Sequence, residues 1–470
     1  MNRKNISNKL LTIIFFAFLL HILLNILYIK NTNFKKYIED NYPKIKKTIF
    51  ATPAILDLEK ETSKADIPYK LSFLEKEINN SQFLNFSTKK IPLDLYNYSI
   101  SNMKAVAFID FYQKNLFIVS GDGRIYYMQN KDLLNIKSDK ANLSKIINIK
   151  SNIKEIIQDK SFFDFQNKIE FSKFNSVSDI LIFKDYIYLS YNRILKDNCY
   201  TKSIIRSKIN YNYLEFEDFF FDDQECIKTS KKRASFNGHQ SGGRMISIDK
   251  NSSFNKFNKT TDKILFTIGD YRSDKNKSVP IAQNDKSIFG KTLLIDIKSK
   301  KFKIFTKGHR NPQGLLYDNE NEIILSTEHG PYGGDEINKL SYGKNYGWPI
   351  SSYGENYRSV PGDKNKKFFF KKKHDEHGYE EPIIALTKSI GISEIIKVPN
   401  NFNSKWRESY LATSLNGHVI LRFNLDKKFN KIQSLEILRV GERIRDIKIN
   451  NNKIYMILEN TPYLGIYKID

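Results

Sequence analysis

The sequence predicts an all-β protein: a six-bladed β-propeller preceded by an N-terminal transmembrane helix. Three observations carry that expectation. Aromatic residues, mostly Phe and Tyr, make up 13% of the 470 residues, and such side chains favour strands over helical bundles. A unit of strand, turn and strand recurs six times along the chain. One long apolar run, residues 10–29, stands near the N-terminus. With 40% hydrophobic residues the chain can bury a large core, as one big domain or two smaller ones.

The apolar run, Leu10 to Ile29, would span roughly 30 Å as a helix rising about 1.5 Å per residue, enough to cross a bilayer. Arg3, Lys4 and Lys9 precede it in a short segment, residues 1–9, that reads as cytoplasmic. No small-x-small cleavage site follows, so the run reads as an uncleaved anchor. Lys30, Lys35 and Lys36 make the far flank basic too, and charge alone does not set the orientation. Residues 30–104 are rich in Lys, Asn and Glu, with helix-like stretches such as Leu71 to Asn79; they read as a linker and irregular lead-in. Residues 105–470 are the expected propeller.

Each repeat opens with a short polar pair and runs into an apolar strand. Lys114-Asn115 precedes Leu116 to Val119, Lys184-Asp185 precedes Tyr186 to Leu189, and Asp262-Lys263 precedes Ile264 to Phe266. Asn321-Glu322 precedes Ile323 to Leu325, Glu408-Ser409 precedes Tyr410 to Ala412, and Asn452-Lys453 precedes Ile454 to Ile457. Partner strands follow turns such as Gly121-Asp122-Gly123 and Asn416-Gly417. The spacing is uneven, as in a propeller with long inter-strand loops. Two packed sandwiches would give similar strand counts.

A formal net charge of +24 raises the question of nucleic acid, but the basic residues are spread along the chain and form no binding stripe. The reading is a solvated surface with no nucleic-acid partner. The densest cluster, Lys364 to Lys373 around Phe368-Phe369-Phe370, reads as a surface loop, or as a contact for anionic lipid or an acidic ligand. The two cysteines, Cys199 and Cys226, are equidistant from a turn near Asn210-Tyr211-Asn212 and would face each other across a hairpin, within disulfide reach. A bridge would imply an oxidising compartment such as the periplasm. Two reduced structural thiols are the alternative.

Three polar clusters carry candidate chemistry. Gly238 to Arg244 is a Gly-rich turn presenting His239, which could accept a proton from an alcohol, or merely pack. In His309-Arg310-Asn311 the Arg could hold or polarise a carbonyl or carboxylate. In Arg443-Ile444-Arg445-Asp446, strand alternation throws both guanidiniums onto one face, where a bound acid or nearby Asp/Glu must satisfy them. About forty residues from Gly308 to Pro349 hold three Gly- and Pro-punctuated turns on short strands, loops shaped around a ligand.

Together these clusters resemble the pyrroloquinoline-quinone-dependent sugar dehydrogenases of the glucose/sorbosone dehydrogenase family, which are six-bladed propellers. The similarity covers residues 235–470 well and the region before poorly. It is carried by Gly308-His309-Arg310-Asn311-Pro312-Gln313-Gly314, Glu328-His329-Gly330-Pro331 and Asn345-Tyr346-Gly347-Trp348-Pro349, with His239 to Arg244, Ile268-Gly269-Asp270, Ala282-Gln283-Asn284 and Gly441 to Asp446. The resemblance implies oxidation of a sugar (aldose) or related alcohol with pyrroloquinoline quinone and Ca2+, electrons passing to an unidentified acceptor. It implies His239 as general base and Arg310 beside the reactive carbonyl, with Asn311, Arg443 and Arg445 holding the cofactor. It implies a calcium on the carbonyls of Gly330 and Pro331, and a second one on Glu336 and the Tyr346 carbonyl. The propeller would then face the periplasm from the inner membrane of a bacterium.

The chain departs from the family at Gly238, where an Asp precedes the base, and at Asn416, where a cofactor-binding Lys stands. A stacking Trp expected near Leu386 and a cofactor contact around Ala105 to Asp110 are not recognisable. Two other functions remain open. One is a non-catalytic propeller binding a glycan or protein. The other is a calcium-dependent lactonase-type propeller, which needs carboxylates converging on the central channel.

Overall fold

The computed structural model describes residues 73–77, 86–92, 106–135, 146–156, 177–196, 199–228, 240–252, 261–273, 279–355, 370–460 and 463–469. The apolar run 10–29 and most of the Lys364–Lys373 cluster lie outside them. No helix among the described residues is long and apolar enough to cross a membrane.

Two N-terminal strands come first, β1 (Phe73–Glu77) and β2 (Phe86–Pro92). Blade 1 holds β3 (Ala107–Tyr112), β4 (Asn115–Ser120), β5 (Ile125–Met128) and β6 (Ile147–Ser151). Blade 2 holds β7 (Val177–Phe183), β8 (Tyr186–Lys196) and β9 (Cys199–Lys208). After it β10 (Tyr213–Leu214) crosses to the edge of blade 1, while β11 (Glu217–Phe221) and β12 (Ile227–Lys228) return to β9. Blade 3 is β13 (Gly242–Ile248), β14 (Lys263–Ile268), β15 (Lys291–Asp296) and β16 (Phe302–Lys307). Blade 4 is β17 (Pro312–Asp318), β18 (Ile323–Glu328), β19 (Asp335–Leu340) and β20 (Ile384–Leu386). Blade 5 is β21 (Ile392–Lys397), β22 (Tyr410–Ser414), β23 (Val419–Leu425) and β24 (Ile432–Arg439). Blade 6 is β25 (Ile444–Asn450), β26 (Lys453–Leu458) and β27 (Tyr463–Ile469).

The innermost strands touch in the cyclic order β3, β7, β13, β17, β21, β25 and back to β3, so the six blades form a closed ring. The six apolar runs read from the sequence are the second strands of the six blades. Their polar pairs lead into these strands, and Lys114, Lys184, Glu322, Glu408 and Asn452 all take positive φ there. Apolar clusters fill the interfaces between consecutive blades. Phe117 and Val119 pack with Ile187 and Leu189, Ile204 with Phe266, and Leu265 with Ile324. Leu411 packs with Ile454, and Ile118 with Ile457.

The lead-in is a correction to the sequence reading. Part of residues 30–104 belongs to the propeller. The stretch expected to be helical contains β1, which lies parallel to β24 with Phe73 opposite Leu435 as a fifth strand of blade 5. β2 runs antiparallel to β27, from Phe86 opposite Ile469 to Pro92 opposite Tyr463, and completes blade 6. The ring is thus closed by a strand from the far end of the chain. Backbone pairing to an existing edge overrides the local helical preference of Leu71 to Asn79.

Cys199 and Cys226 are joined in a disulfide, with Cα atoms 5.4 Å apart. The path between them is more broken than one hairpin. β10 leaves for blade 1, and it is β12, with Lys228 opposite Cys199, that brings Cys226 back to β9.

Candidate active site

Five of the six inner strands begin with a bulge: at Val177/Asp179, Gly242/Met245, Pro312/Gly314, Ile392/Ile395 and Ile444/Asp446. Each inner strand is antiparallel to its neighbour, so these bulges share one face with the ends of the second strands. Bulges re-aim side chains. On this face the polar residues Asp179, Arg244, Glu394 and Asp446 of four of these blades meet.

Arg244, 3% exposed, lies where acids of blades 2, 5 and 6 meet it. Its guanidinium meets Asp179 at 3.0 Å, Glu394 at 2.8 Å and Asp446 at 3.3 Å, and donates to the Gln313 and Arg445 carbonyls at 2.7 and 2.9 Å. Carboxylates do converge here, as a lactonase-type propeller would require. Their lone pairs, however, are spent on stitching blades together. Asp179 accepts from Met245 N at 2.8 Å, Asp446 from Ile109 N at 2.7 Å, and Asp110 from Ile182 N at 2.6 Å. With a fixed cation at its centre the cluster is an ion-paired plug. Among the described residues no group of three or more His, Cys, Asp or Glu is arranged to hold a metal.

Beside the plug the loop His309-Arg310-Asn311 enters β17. His309 is fully buried, stacked on Tyr346 with centroids 4.9 Å apart, its Nδ1 2.9 Å from Glu328 and its Nε2 2.7 Å from Thr306. The other Glu328 oxygen accepts from the backbone N–H of Arg310 and, at 3.2 Å, of Asn311. One carboxylate at the end of β18 therefore fixes three consecutive residues. Gly308 precedes them with φ +78, where a side chain would be strained and would strike Asn345.

So held, Arg310 donates from Nη1 to the His329 carbonyl at 2.9 Å and lies 5.4 Å from the Trp348 ring. Its Nη2 donates to the Gln240 amide oxygen at 2.8 Å, the amide being oriented so that its nitrogen donates to Asp270 at 2.9 Å. Asp270 also accepts from Trp348 Nε1 at 2.8 Å. Asn311 accepts from Gln313 at 3.0 Å, and Gln313 accepts from Arg445 Nη1 at 3.2 Å. Arg443 and Arg445 both turn to Glu459, at 2.8 and 2.6 Å. Burial would raise the Glu459 carboxyl, but Arg445 and Arg443 outweigh it and hold the group below its usual range.

Arg310, Asn311, Arg443 and Arg445 thus lie along one continuous polar chain on one face. The strand arginines have a protein counter-ion in Glu459, one carboxylate for two guanidiniums, so a net positive charge remains. His239 lies outside the described residues; its chain neighbour Gln240 touches Arg310. Sequence reasoning missed Glu328, Glu459, Gln313, Asp270 and His329, all at strand ends where their partners depend on strand register within and between blades. Of the departures, Leu386 is fully buried in β20 opposite Asp335, and Asn416 sits in the turn after β22 with its N–H bonded to Ile390.

Gly330 follows His329 directly, its N–H donating to Asp335 at 3.1 Å; a Cβ there would run into the Gly333 and Gly334 carbonyls. Pro331 is buried beside it. Glu336 lies opposite Glu328 across β18 and β19. Burial, with Glu328 adding to it, raises the Glu336 carboxyl well above its ordinary value. His374 places Nε2 3.6 Å from Glu336 Oε1, while its Nδ1 is 3.3 Å from the Glu380 carbonyl. Nε2 is therefore a lone pair facing a carboxylate, and it is buried without a hydrogen-bond partner, as is Asn338 Oδ1. Asn338 donates its amide to Glu336 at 3.1 Å. His374 Nε2 and Asn338 Oδ1 are acceptors left unpaired beside Glu336, and a cation would satisfy them. Tyr346 stacks on His309, whose ring is held by Glu328, the residue opposite Glu336.

The chain is thus a six-bladed propeller with a cationic, donor-rich polar cluster on its bulged face. Residues 183–463 match the glucose/sorbosone dehydrogenase family, and the chain belongs to that family. It is 30% identical over 149 residues to an uncharacterized protein of Synechocystis, covering 31% of this chain and only 33% of that protein. It is 24% identical to the aldose sugar dehydrogenase YliI of Escherichia coli, over 62% of this chain and 76% of the relative. It is 24% identical to quinoprotein glucose dehydrogenase B of Acinetobacter calcoaceticus, over 47% and 59%. The PQQ-bound aldose sugar dehydrogenase of Streptomyces coelicolor shares the fold with a TM-score of 0.51 at 14% identity, over 82% of this chain and all of that one.

Proposed function

We propose that the protein oxidises a sugar, an aldose or a related alcohol, with bound pyrroloquinoline quinone. The observation that supports this best is the polar chain joining Arg310, Asn311, Gln313, Arg445 and Arg443, a donor-rich surface suited to a flat, polyanionic cofactor. The bound quinone would supply the two-electron oxidation, taking the hydride from the carbon that bears the sugar hydroxyl. His239 would accept the hydroxyl proton. Arg310, held by His329 and Gln240 and backed by Trp348, would present a fixed cation to developing negative charge, at no reorganisation cost. Trp348, with Phe370 5.3 Å from it, walls the cleft beside Arg310.

The residues present fit calcium as well. Glu336, the Asn338 amide oxygen, His374 and the Tyr346 carbonyl would hold one ion in the buried acceptor group, an oxygen-rich set with one imidazole. Gly330 and Pro331 would hold another through their carbonyls, next to Arg310. The apolar run 10–29 would tether the propeller to the inner membrane, and the Cys199–Cys226 bridge favours the periplasmic side. Electrons would leave to a separate acceptor.

The test is reconstitution. The full chain, given Ca2+ and pyrroloquinoline quinone, should reduce an artificial dye with some member of a panel of aldoses. Cofactor uptake without turnover on any sugar or alcohol would leave a binding propeller instead.

A further inference from the structure

The turn Gly269-Asp270-Tyr271-Arg272 leaves β14 directly against the site. Asp270 N donates to the Arg310 carbonyl at 2.9 Å and Tyr271 N to the Gln240 carbonyl at 3.0 Å, which ties the turn to both. Tyr271 is fully buried, and its hydroxyl donates to Asn192 at 2.7 Å. Tyr271 and Arg272 both take left-handed backbone, with φ +54 and +57. Two such residues in a row are unfavourable for chains with side chains and persist where their surroundings hold them. Arg272 is thereby left exposed at the surface beside Arg310.

Arg272 Nε donates at 3.1 Å to the same Gln240 amide oxygen that accepts from Arg310 Nη2 at 2.8 Å. Two guanidiniums therefore share one neutral oxygen. Asp270, the acid bonded to the same amide, is 1% exposed, and its oxygens are engaged by Trp348 Nε1 at 2.8 Å, the Arg272 N–H at 2.9 Å and the Gln240 amide at 2.9 Å. Arg310 connects to Arg445 through Asn311 and Gln313, but to Arg272 through Gln240, the chain neighbour of His239. The second cation thus belongs with the proposed base, apart from the arginines assigned to the cofactor.

Trp348 lies 5.4 Å from Arg310 and 5.3 Å from Phe370. Lys371 follows Phe370 and is exposed, its main chain fixed by the Ile350 carbonyl at 3.0 Å and by Ser352 N at 2.9 Å. It stands in the described end of the Lys364–Lys373 cluster. An aromatic wall between cations, on a chain of net charge +24, suits a sugar that carries negative charge.

We propose that Arg272 is a specificity-determining residue that pairs with the carboxylate of an acidic sugar, making uronic acids the preferred substrate class. The inference rests on the reading above, in which a sugar is oxidised on this face. The reacting atoms are those of any aldose. The hydride of the anomeric carbon passes to the quinone and the hydroxyl proton to His239, so a uronate becomes its lactone with the carboxylate intact. That carboxylate lies across the ring from the reacting carbon, where a planar guanidinium can hold it with charge-assisted hydrogen bonds.

The test compares glucuronate with glucose, and galacturonate with galactose, on the full chain loaded with pyrroloquinoline quinone and Ca2+. For the native protein kcat/KM should be about tenfold or more higher for each uronate, as expected from one hydrogen-bonded charge pair, and added salt should shrink the preference. In Arg272→Gln the acid-to-neutral ratio should fall about tenfold, mainly through KM, and Arg272→Lys should recover part of it. Cofactor uptake, followed by quenching of protein fluorescence, should be the same in the Gln variant and the native chain. Neutral aldoses used as well as uronates by the native chain overturn the inference alone. A Gln variant that loses both substrates equally overturns it too, by marking Arg272 as a support for Gln240, and so does one that takes up less cofactor. A loaded native chain that oxidises no sugar, acidic or neutral, sinks the underlying reading and the inference with it.

Discussion

Arg445 and Glu459 meet at 2.6 Å, with the Glu459 side chain fully buried and its other oxygen engaged by Arg443 at 2.8 Å. The carboxylate keeps two like charges together on one face, and the cleft is built around it. Glu459→Gln removes the charge but not the volume. It should cost about 3 kcal/mol, the loss expected when one partner of a buried pair is removed. Because the native Glu459 is depressed below 4.5, its contribution is present in full above that pH and is lost as pH falls through the lower native value. Urea unfolding at pH 7 and pH 4 checks both. The native chain should lose stability on acidification, and the variant should lose less.

Arg244 is the hub of the axial plug. Arg244→Met leaves Asp179, Glu394 and Asp446 buried around an apolar side chain. The expected loss is about 3–5 kcal/mol. Adding Glu394→Leu to that variant should recover part of it, since one buried carboxylate goes with its cation and Lys448 remains to face the other two. Chemical denaturation of the two variants decides; a double variant no more stable than the single would deny the plug its role.

Calcium should raise the thermal midpoint of the native chain, and a chelator should lower it. In the cation-free state the raised Glu336 carboxyl contributes in full below its ordinary 4.5, and that contribution is lost as pH rises through its higher native value. A bound cation favours the ionised form, so the calcium shift should grow from pH 5 to pH 8. Glu336→Gln should abolish most of the shift. Scanning calorimetry with and without Ca2+ at the two pH values measures it.

The Cys199–Cys226 bridge closes a loop with a sequence separation of 27. Chain-entropy arguments for a loop of that size put its contribution at about 3.5 kcal/mol. Cys199→Ser with Cys226→Ser should therefore unfold at lower temperature while keeping the propeller's circular dichroism. Reductant should lower the native midpoint and leave the variant unmoved.

The repeats were legible because second strands are buried on both faces. Leu116 to Val119 and Ile454 to Ile457 have no exposed side to interrupt the apolar run. β1 and β2 were not, because Phe73–Glu77 and Phe86–Pro92 are short and mostly polar, and their pairing is to β24 and β27 at the other end of the chain. A parallel partner like Leu435 opposite Phe73 leaves no local pattern in the sequence. At the site, Arg310 and Asn311 stood out in a Gly- and Pro-rich turn, and Arg443 and Arg445 by their alternation into one strand face. Glu459 did not. A lone acid after Leu458 looks like any loop residue until the β25–β26 register sets its N–H 2.9 Å from the Arg443 carbonyl. Glu328 was visible in its motif, but its clamp on three residues of the β17 lead-in follows only from the β17–β18 pairing.

The most direct measurement is steady-state sugar oxidation by the cofactor-loaded full chain and its His239→Ala variant, with cofactor uptake measured on both. The expected result is turnover by the native chain and a fall in kcat of about 10²–10⁴-fold in the variant at unchanged uptake, the range lost with a general base. Equal turnover by the two proteins would contradict the assignment of His239 as the base that starts the reaction.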